Sequence, residues 1–187
     1  KDNIERAIKK GEGNDPDSNY EEVRYEGYGP EGVAIIVEAL TNNKNRTAAE
    51  VRPTFSKYGG NLGETGSVSF GFKRLGSILL NKNNINEEEL FDFIVENGSE
   101  DYEINDDEYN IYCDQKILHQ LNQKIIEKFG QTNFTGLIWK SENEITVSKD
   151  KADTLFKLLN ILEENEDVQA VSSNFDVSDE VLASLTA

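Results

Sequence analysis

The sequence has little of the chemistry on which most enzymes and metal sites depend. Its 187 residues include one cysteine, Cys113, and one histidine, His119. One cysteine excludes a disulfide within the chain, and these two residues are too few for a zinc site built from several Cys or His ligands. No G-x-S-x-G and no H-E-x-x-H motif occurs. A Cys/His nucleophile pair is the alternative to ordinary packing and surface roles, and we expect no enzyme activity, no metal and no cofactor.

Long apolar stretches are also missing. The sequence contains no run of 18 apolar residues and no charged segment followed by an apolar leader. These absences predict a soluble, cytoplasmic protein without a membrane span. The chain starts at Lys1 rather than at a methionine, and residues 2–10 have the pattern of the end of a helix. We therefore expect a fragment that lacks an N-terminal segment.

Glycines cluster at positions 59, 60, 63 and 66, but the phosphate-binding motifs are absent. A P-loop needs a strand before it, a helix after it and a Gly-Lys-Ser/Thr sequence, whereas here a helix is predicted before the glycines and a strand after them. Gly60 to Gly63 also has the G-x-x-G form of the loop that holds nucleic-acid backbone in KH domains. Gly59, Gly60, Asn61 and Gly63 are therefore either a structural turn or a backbone contact for nucleic acid.

Acidic residues dominate the charge, and they are unevenly distributed. The formal net charge is −17. Residues 1–80 contain 11 Lys and Arg and 12 Asp and Glu, a net charge of −1, whereas residues 81–187 contain 8 and 24, a net charge of −16. The acidic half either keeps the protein soluble or forms a surface for a basic partner.

Residues 45–72, NRTAAEVRPTFSKYGGNLGETGSVSFGF, have the clearest local pattern in the chain. Thr47 and Glu50 have the spacing of a capping box, which predicts a helix that begins at Thr47. The apolar residues of this helix recur at helical spacing, and Gly59 and Gly60 are suited to end it. Serine, valine and phenylalanine at 67–72 predict the strand that follows.

The remaining pattern predicts an α+β chain with two ferredoxin-like α/β domains, one inserted in the other. Strands are predicted at 22–26, 33–40, 67–72, 78–80, 102–104, 109–113, 134–139, 144–147 and 168–173, and helices at 2–10, 47–58, 87–96, 115–129 and 151–165. Asn86 and Asp114 are the predicted caps of the third and fourth helices. We expect the end of an N-terminal helical domain and a linker at 1–19, a split domain at 20–74 and 142–187, and an acidic βαββαβ domain at 75–141.

Four segments together resemble one known family. They are DNIERAIKKGEG at 2–13, YEEVRYEGYGPEGVAIIVEALT at 20–41, the 45–72 segment and DVQAVSSNFDVSDE at 167–180. In this order they closely resemble the YebC/PmpR family, which includes the mitochondrial translational activator of cytochrome c oxidase. The resemblance implies an N-terminal helical domain followed by two α/β domains. It also implies nucleic-acid work, because members are described as DNA-binding transcriptional regulators and as ribosome-associated translation factors.

Basic residues around the predicted 47–58 helix are the candidate nucleic-acid contacts. The candidates are Lys44, Arg46, Arg52 and Lys57, with Arg24 as a neighbour and Arg6, Lys9 and Lys10 as an extension. Their alternative is a solvated face. We expect a non-enzymatic, DNA-binding transcriptional regulator, with a ribosome-associated translation factor that binds ribosomal RNA as the alternative. A basic protein could bind the acidic domain, and we expect a monomer.

Two residues depart from the family pattern. Glu31 stands where family sequences usually read Gly-Pro-Gly-Gly, and it adds negative charge to a turn. Pro53 falls inside the predicted helix, where a proline lacks an amide and crowds the carbonyl of Ala49, at a cost of about 3 kcal/mol. We therefore expect a kink or a short break near Arg52.

Overall fold

The computed structural model describes residues 19–82, 85–178 and 180–181. These residues form two compact units. The first unit contains the described residues up to Lys73 together with those from Ser141 onward, and the second unit is Arg74–Lys140. The helix expected at 2–10, with Arg6, Lys9 and Lys10, lies outside the described residues.

The described residues form ten strands and four α-helices. In chain order these are β1 (Glu21–Tyr28), β2 (Ala34–Thr41), α1 (Lys44–Lys57), β3 (Asn61–Leu62), β4 (Phe72–Asn81), α2 (Glu87–Glu96), β5 (Ser99–Ile104), β6 (Glu108–Cys113), α3 (Leu118–Phe129), β7 (Phe134–Ser141), β8 (Ile145–Thr146), α4 (Lys149–Glu164), β9 (Val168–Ser173) and β10 (Phe175–Asp176). None of the helices in the described residues is long and apolar enough to cross a membrane.

The first unit is built on a four-stranded sheet with the order β3-β1-β2-β9. Strand β2 pairs antiparallel with both β1 and β9. Its residues Ala34 to Val37 are all buried, as expected for a central strand that is covered on both faces. On one face, Ile35 packs in a core with Val51 and Phe55 of α1 and Leu158 of α4. Helix α1 is therefore held by its buried side, with its opposite side exposed.

The second unit has the element order βαββαβ and the sheet order β5-β6-β4-β7. This is the strand order of a ferredoxin-like sheet. Its core is formed by Ile78 and Ile111 of the sheet with Leu90 of α2 and Leu121 of α3. The α+β fold class expected from the sequence is confirmed.

Several predicted boundaries are wrong. The strand predicted at 67–72 is instead a turn and a 3-10 helix at Ser69–Gly71, and the next strand, β4, begins at Phe72 and belongs to the other sheet. Helix α3 begins at Leu118 without a side-chain cap. Asp114, its predicted cap, accepts a hydrogen bond from the amide of Lys116 in the preceding turn. The prediction of α2 with Asn86 as its cap is confirmed, since Asn86 Oδ1 accepts from the amide of Glu89.

Of the kink or short break expected near Arg52, the break does not occur. Helix α1 runs from Lys44 to Lys57 with Pro53 inside it. Pro53 is exposed, whereas Val51 and Phe55 on either side of it are 1% and 0% exposed. Burial of these two side chains contributes roughly 1.5–3 kcal/mol each, which offsets the roughly 3 kcal/mol cost of an internal proline.

Glu31 connects the β1–β2 turn to the start of helix α4. Its φ of 56° is in the left-handed region, which explains why glycine suits this position. Its carboxylate accepts hydrogen bonds from the amide nitrogen of Ser148 at 2.8 Å and from the Ser148 hydroxyl at 2.7 Å. The Ser148 amide and hydroxyl hold the pKa of Glu31 below its ordinary value. Ser148 precedes α4, so the added negative charge lies at a helix N-terminus, where it is favourable.

Candidate nucleic-acid interface

Helix α1 begins three residues before the predicted capping box. Asn43 is the N-cap, and its side-chain oxygen accepts a hydrogen bond from the amide of Arg46 at 3.1 Å. Thr47 is 0% exposed and lies inside the helix rather than at its cap. Glu50 accepts a hydrogen bond from the side chain of Asn165 at 2.7 Å. The capping-box prediction is therefore wrong, because Thr47 and Glu50 both have partners far away in the sequence.

Arg46 is held by a nearly buried carboxylate. Its Nη2 donates to Asp167 Oδ2 at 2.8 Å and to Oδ1 at 3.0 Å. Asp167 also accepts from the hydroxyl of Thr47 at 2.6 Å and from that of Thr41 at 3.1 Å. Burial disfavours the charged form of Asp167, but the hydrogen bonds from Arg46, Thr47 and Thr41 outweigh it and hold its pKa below the ordinary value. The charge of Arg46 is thus largely committed to the fold.

Arg24 also has a buried carboxylate as its ion-pair partner. Its Nε lies 2.9 Å from Glu26 Oε1, and the Glu26 side chain is 0% exposed. The other carboxylate oxygen, Oε2, accepts from the amides of Val68 at 3.0 Å and Ser69 at 2.9 Å. Burial again disfavours ionisation, but the amides of Val68, Gly66 and Ser69 hold the pKa of Glu26 below its ordinary value. Glu26 therefore ties residues 63–71, here called the serine loop, to strand β1.

The other three candidates on α1 are exposed, as is Arg46, whose side chain is 47% exposed. Lys44 lies 3.4 Å from Glu21 in a solvent-exposed ion pair, which contributes little. Lys57 lies over the ring of Tyr58, 5.3 Å from its centroid. Arg52 has no ion-pair partner among the residues that the structure describes. At about 100° per residue, Arg52 and Lys57 lie about 140° apart around the helix axis. The exposed charge is thus spread over both flanks of α1 rather than aligned in one row.

The glycine turn has a structural role at each position. Gly59 has a φ of +77°, which favours glycine after a helix. The Gly60 amide donates to the carbonyl of Phe55 at 2.9 Å, and a Cβ at Gly60 would overlap the carbonyl oxygen of Tyr28. Asn61 pairs with Tyr28 as strand β3. The Gly63 amide donates to the carbonyl of Glu26 at 2.8 Å. A backbone contact with nucleic acid at this turn stays a prediction.

Cys113 and His119 lie in different environments. Cys113 is 0% exposed on β6, and burial, with the charges of Asp114 and Glu100, raises the pKa of its thiol to about 11. His119 is exposed on α3. A raised thiol pKa disfavours the thiolate that a nucleophile needs. In the described part of the chain, no group of three or more His, Cys, Asp or Glu side chains is arranged to hold a metal ion.

Sequence reasoning missed three of the residues that organise this surface, namely Glu26, Asn43 and Asp167. Glu22, Arg24 and Glu26 alternate along β1, which is typical of a strand with one solvated face. The serine loop covers Glu26 on that face, and no pattern in the neighbouring sequence predicts that a loop will cover this residue. Asn43 could have been found, since asparagine before a helix is a preferred cap.

The fold and the site define a two-unit α+β protein whose first unit presents exposed basic residues on helix α1. A family model described as TACO1/YebC second and third domain matches residues 20–175. The chain belongs to the TACO1/YebC family, which confirms the resemblance seen in the sequence.

A solved structure supports the same assignment. The chain is similar to a conserved hypothetical protein from Aquifex aeolicus, with 40% sequence identity and a TM-score of 0.85. The match covers 97% of this chain and 75% of that chain.

Serine-loop anchoring can be tested at Glu26. Replacing Glu26 with glutamine is expected to destabilise the protein by about 2 kcal/mol, because Arg24 loses its buried counter-charge. The measurement is urea unfolding, with hydrogen exchange at the Val68 and Ser69 amides as a local readout. Glu22→Gln changes the same charge at an exposed position of β1 and should change stability by less than about 0.5 kcal/mol. Equal effects of the two substitutions would contradict the anchoring role.

Proposed function

We propose that this protein is a non-enzymatic regulator of gene expression that acts by binding nucleic acid. The observation that carries the proposal is the exposed side of α1, where Arg52 and Lys57 remain available to phosphates while Arg24 and Arg46 are paired with buried carboxylates. Positive charge of this kind binds phosphate without reading sequence. The family assignment supports the same function.

A DNA-binding transcriptional regulator is the first form of this proposal. In that form, Lys44, Arg52 and Lys57 contact the phosphates of a duplex. Three such contacts would make log K fall with log salt with a slope of about −3. Lys44, Arg52 and Lys57 account for positioning on the backbone, so sequence discrimination has to come from further contacts or from the shape of the DNA.

A ribosome-associated translation factor is the second form, and the charge of the second unit favours it. Residues 74–140 contain 6 Lys and Arg and 13 Asp and Glu, a net charge of −7. A surface of this sign repels RNA but attracts the basic proteins that accompany RNA in a ribosome. In this form, α1 contacts ribosomal RNA and the acidic unit contacts a basic protein, with no membrane involved.

Charge reversal on α1 tests the proposal. The double variant Arg52→Glu/Lys57→Glu should lower co-sedimentation with ribosomes, or the affinity for duplex DNA in a gel-shift titration, by about tenfold or more. Both side chains are exposed, so the variant should unfold at the same urea concentration as wild type. Arg46 is left unchanged, since its reversal would disturb the Asp167 network as well as binding.

A matched control has the same change of net charge. Lys116→Glu/Lys149→Glu reverses two exposed lysines that do not belong to α1. Retained binding by this control with lost binding by the α1 variant would support the proposal. Loss on ribosomes alone would favour the translation factor, and loss on DNA alone the transcriptional regulator. Unchanged binding by the α1 variant on both targets would reject α1 as the interface.

A further inference from the structure

Four aromatic and aliphatic side chains lie along one edge of the second unit. Val95 and Phe91 of α2 are 53% and 41% exposed, and Ile104 of β5 is 42% exposed. The ring centroids of Phe91 and Tyr102, which is also on β5, are 5.4 Å apart, so the helix and the strand contact each other here. Phe91 and Val95 are four residues apart and share one side of the helix, and Tyr102 and Ile104 share one face of the sheet. These four residues, here called the edge patch, form one apolar surface within a single unit.

Strand β5 is an edge of its sheet, so among the described residues one side of its backbone has no neighbouring strand. Its hairpin with β6 is closed by the Asn105 amide, which donates to the carbonyl of Glu108 at 2.9 Å. Hydrogen-bonded and non-hydrogen-bonded pairs alternate along an antiparallel ladder. Ile104, which is opposite Tyr109, is therefore in a non-hydrogen-bonded pair, and its amide and carbonyl point away from β6. An edge of this kind can pair with a further strand.

Negative charge surrounds the edge patch. Residues 87–108, from the start of α2 to the start of β6, contain 11 Asp and Glu and no Lys or Arg. Lys128 and Lys140 of other elements pair with three of these acids. Glu88 is exposed and lies three residues before Phe91, on the same side of α2. The charge of this segment repels nucleic acid, anionic membranes and a second copy of the chain, so the partner that fits is a positively charged protein segment.

We propose that the edge patch is a docking site for a basic protein segment that adds to β5 as a further strand. Main-chain hydrogen bonds to Ile104 supply affinity, and alternate side chains supply specificity. Apolar residues of the segment contact the edge patch, and the lysine or arginine residues between them point to the opposite face of the sheet. On that face they meet Asp101 and Glu103, two carboxylates that share the one ammonium group of Lys140. The inference rests on the second form of the proposed function, in which the acidic unit contacts a basic protein, and it names the residues of that contact.

The experiment measures, by fluorescence anisotropy, binding of the full chain to a fluorescein-labelled eight-residue peptide that alternates valine and lysine. Wild type should bind this peptide, and a peptide with glutamate in place of lysine should not bind. A peptide with serine in place of valine keeps the charge but loses the apolar contacts, so it should bind about tenfold more weakly or worse. Hydrogen exchange at the Ile104 amide should slow in the complex with the valine–lysine peptide, because that amide gains a hydrogen bond.

Variants of the chain separate the side-chain contacts from the main-chain contacts. Phe91→Ala/Val95→Ala removes two exposed apolar side chains and should weaken peptide binding by about tenfold or more while the protein stays folded. Ile104→Pro removes the outward amide, which an edge strand tolerates, and should weaken binding more than Ile104→Ala, which keeps that amide. Phe134→Ala/Leu137→Ala is the matched control. These side chains are 42% and 41% exposed on β7, at the opposite edge of the same sheet, and their loss should leave peptide affinity unchanged.

The remaining outcomes count against the docking site. Absence of peptide binding by wild type, equal binding of the valine–lysine and serine–lysine peptides, or equal affinity of wild type and Phe91→Ala/Val95→Ala would overturn it. Equal losses for Ile104→Pro and Ile104→Ala, or unchanged exchange at the Ile104 amide, would overturn strand addition. Self-association of wild type in sedimentation velocity that Phe91→Ala/Val95→Ala abolishes would assign the edge patch to a second copy of the chain instead. If peptide binding failed while Arg52→Glu/Lys57→Glu still lost ribosome or DNA binding, the proposed function would stand without this site.

Discussion

Replacing Asp167 with alanine is expected to lower the free energy of unfolding by about 3 kcal/mol. The carboxylate accepts hydrogen bonds from Arg46, Thr41 and Thr47, and both threonines are 0% exposed. Alanine would leave two buried hydroxyls and a guanidinium without their acceptor. Urea unfolding at neutral pH measures the loss. Asp153→Ala is the matched control, because Asp153 pairs with Lys157 at 2.6 Å on an exposed helix face, and its loss should cost less than about 0.5 kcal/mol.

The same network predicts a pH dependence. The pKa of Asp167 is lower in the folded protein than in the unfolded chain, where it is about 3.9. Its ionised form therefore stabilises the fold fully above that value, and this contribution is lost as the pH falls through the lower folded pKa. The stability difference between wild type and Asp167→Ala should shrink below about pH 4. A difference that stays constant down to pH 2, or equal losses for Asp167→Ala and Asp153→Ala, would contradict this account.

Replacing Gly60 with alanine is expected to destabilise the first unit by about 3 kcal/mol. The added Cβ would overlap the carbonyl oxygen of Tyr28 and lie 3.1 Å from the Cα of Gly29, both of which are backbone atoms. Relief would require movement of β3 away from β1, with loss of the pairing between Asn61 and Tyr28. The measurement is the midpoint of thermal unfolding together with urea unfolding.

Gly71→Ala is the matched control for Gly60→Ala. A Cβ at Gly71 meets no atom within 4 Å, and Gly71 is not among the glycines with positive φ. Alanine there should be neutral or stabilising by up to about 1 kcal/mol, because it restricts the unfolded chain. Similar destabilisation at both positions would show that the close approach of Gly60 to Tyr28 does not limit the fold.

Local pattern was enough to predict most of the elements. The apolar run of β2 between glycine and polar residues, and the cap of α2 at Asn86, depend on neighbours in the sequence. The start of α1 was mispredicted although its cap, Asn43, is a local signal, whereas the buried partner of Thr47, Asp167, lies 120 positions further along the chain. Non-local partners of this kind leave no trace in a short window.

In the candidate site, too, local features were predictable from the sequence and non-local contacts were not. The sequence identified the basic residues near α1, but it gave no sign that Arg46 would pair with Asp167, 121 positions away, or that Glu26, which is next to Arg24 on one face of β1, would be covered by the serine loop. Residues 67–72 alternate like a strand, yet the amides of Val68 and Ser69 bind the Glu26 carboxylate instead of a neighbouring strand. A charged side chain on β1, distant in the sequence, therefore contributes to the conformation of the loop.

The salt dependence of binding tests the central claim most directly, because neutralised phosphates release counterions in proportion to their number. We would measure log K against log salt on ribosomes and on duplex DNA for wild type, Arg52→Gln/Lys57→Gln and Lys116→Gln/Lys149→Gln. On the physiological target, loss of two phosphate contacts should make the slope of the α1 variant shallower by about 1.4 to 1.8, with the slope of the control unchanged. Equal slopes for all three proteins on both targets would contradict nucleic-acid binding through helix α1.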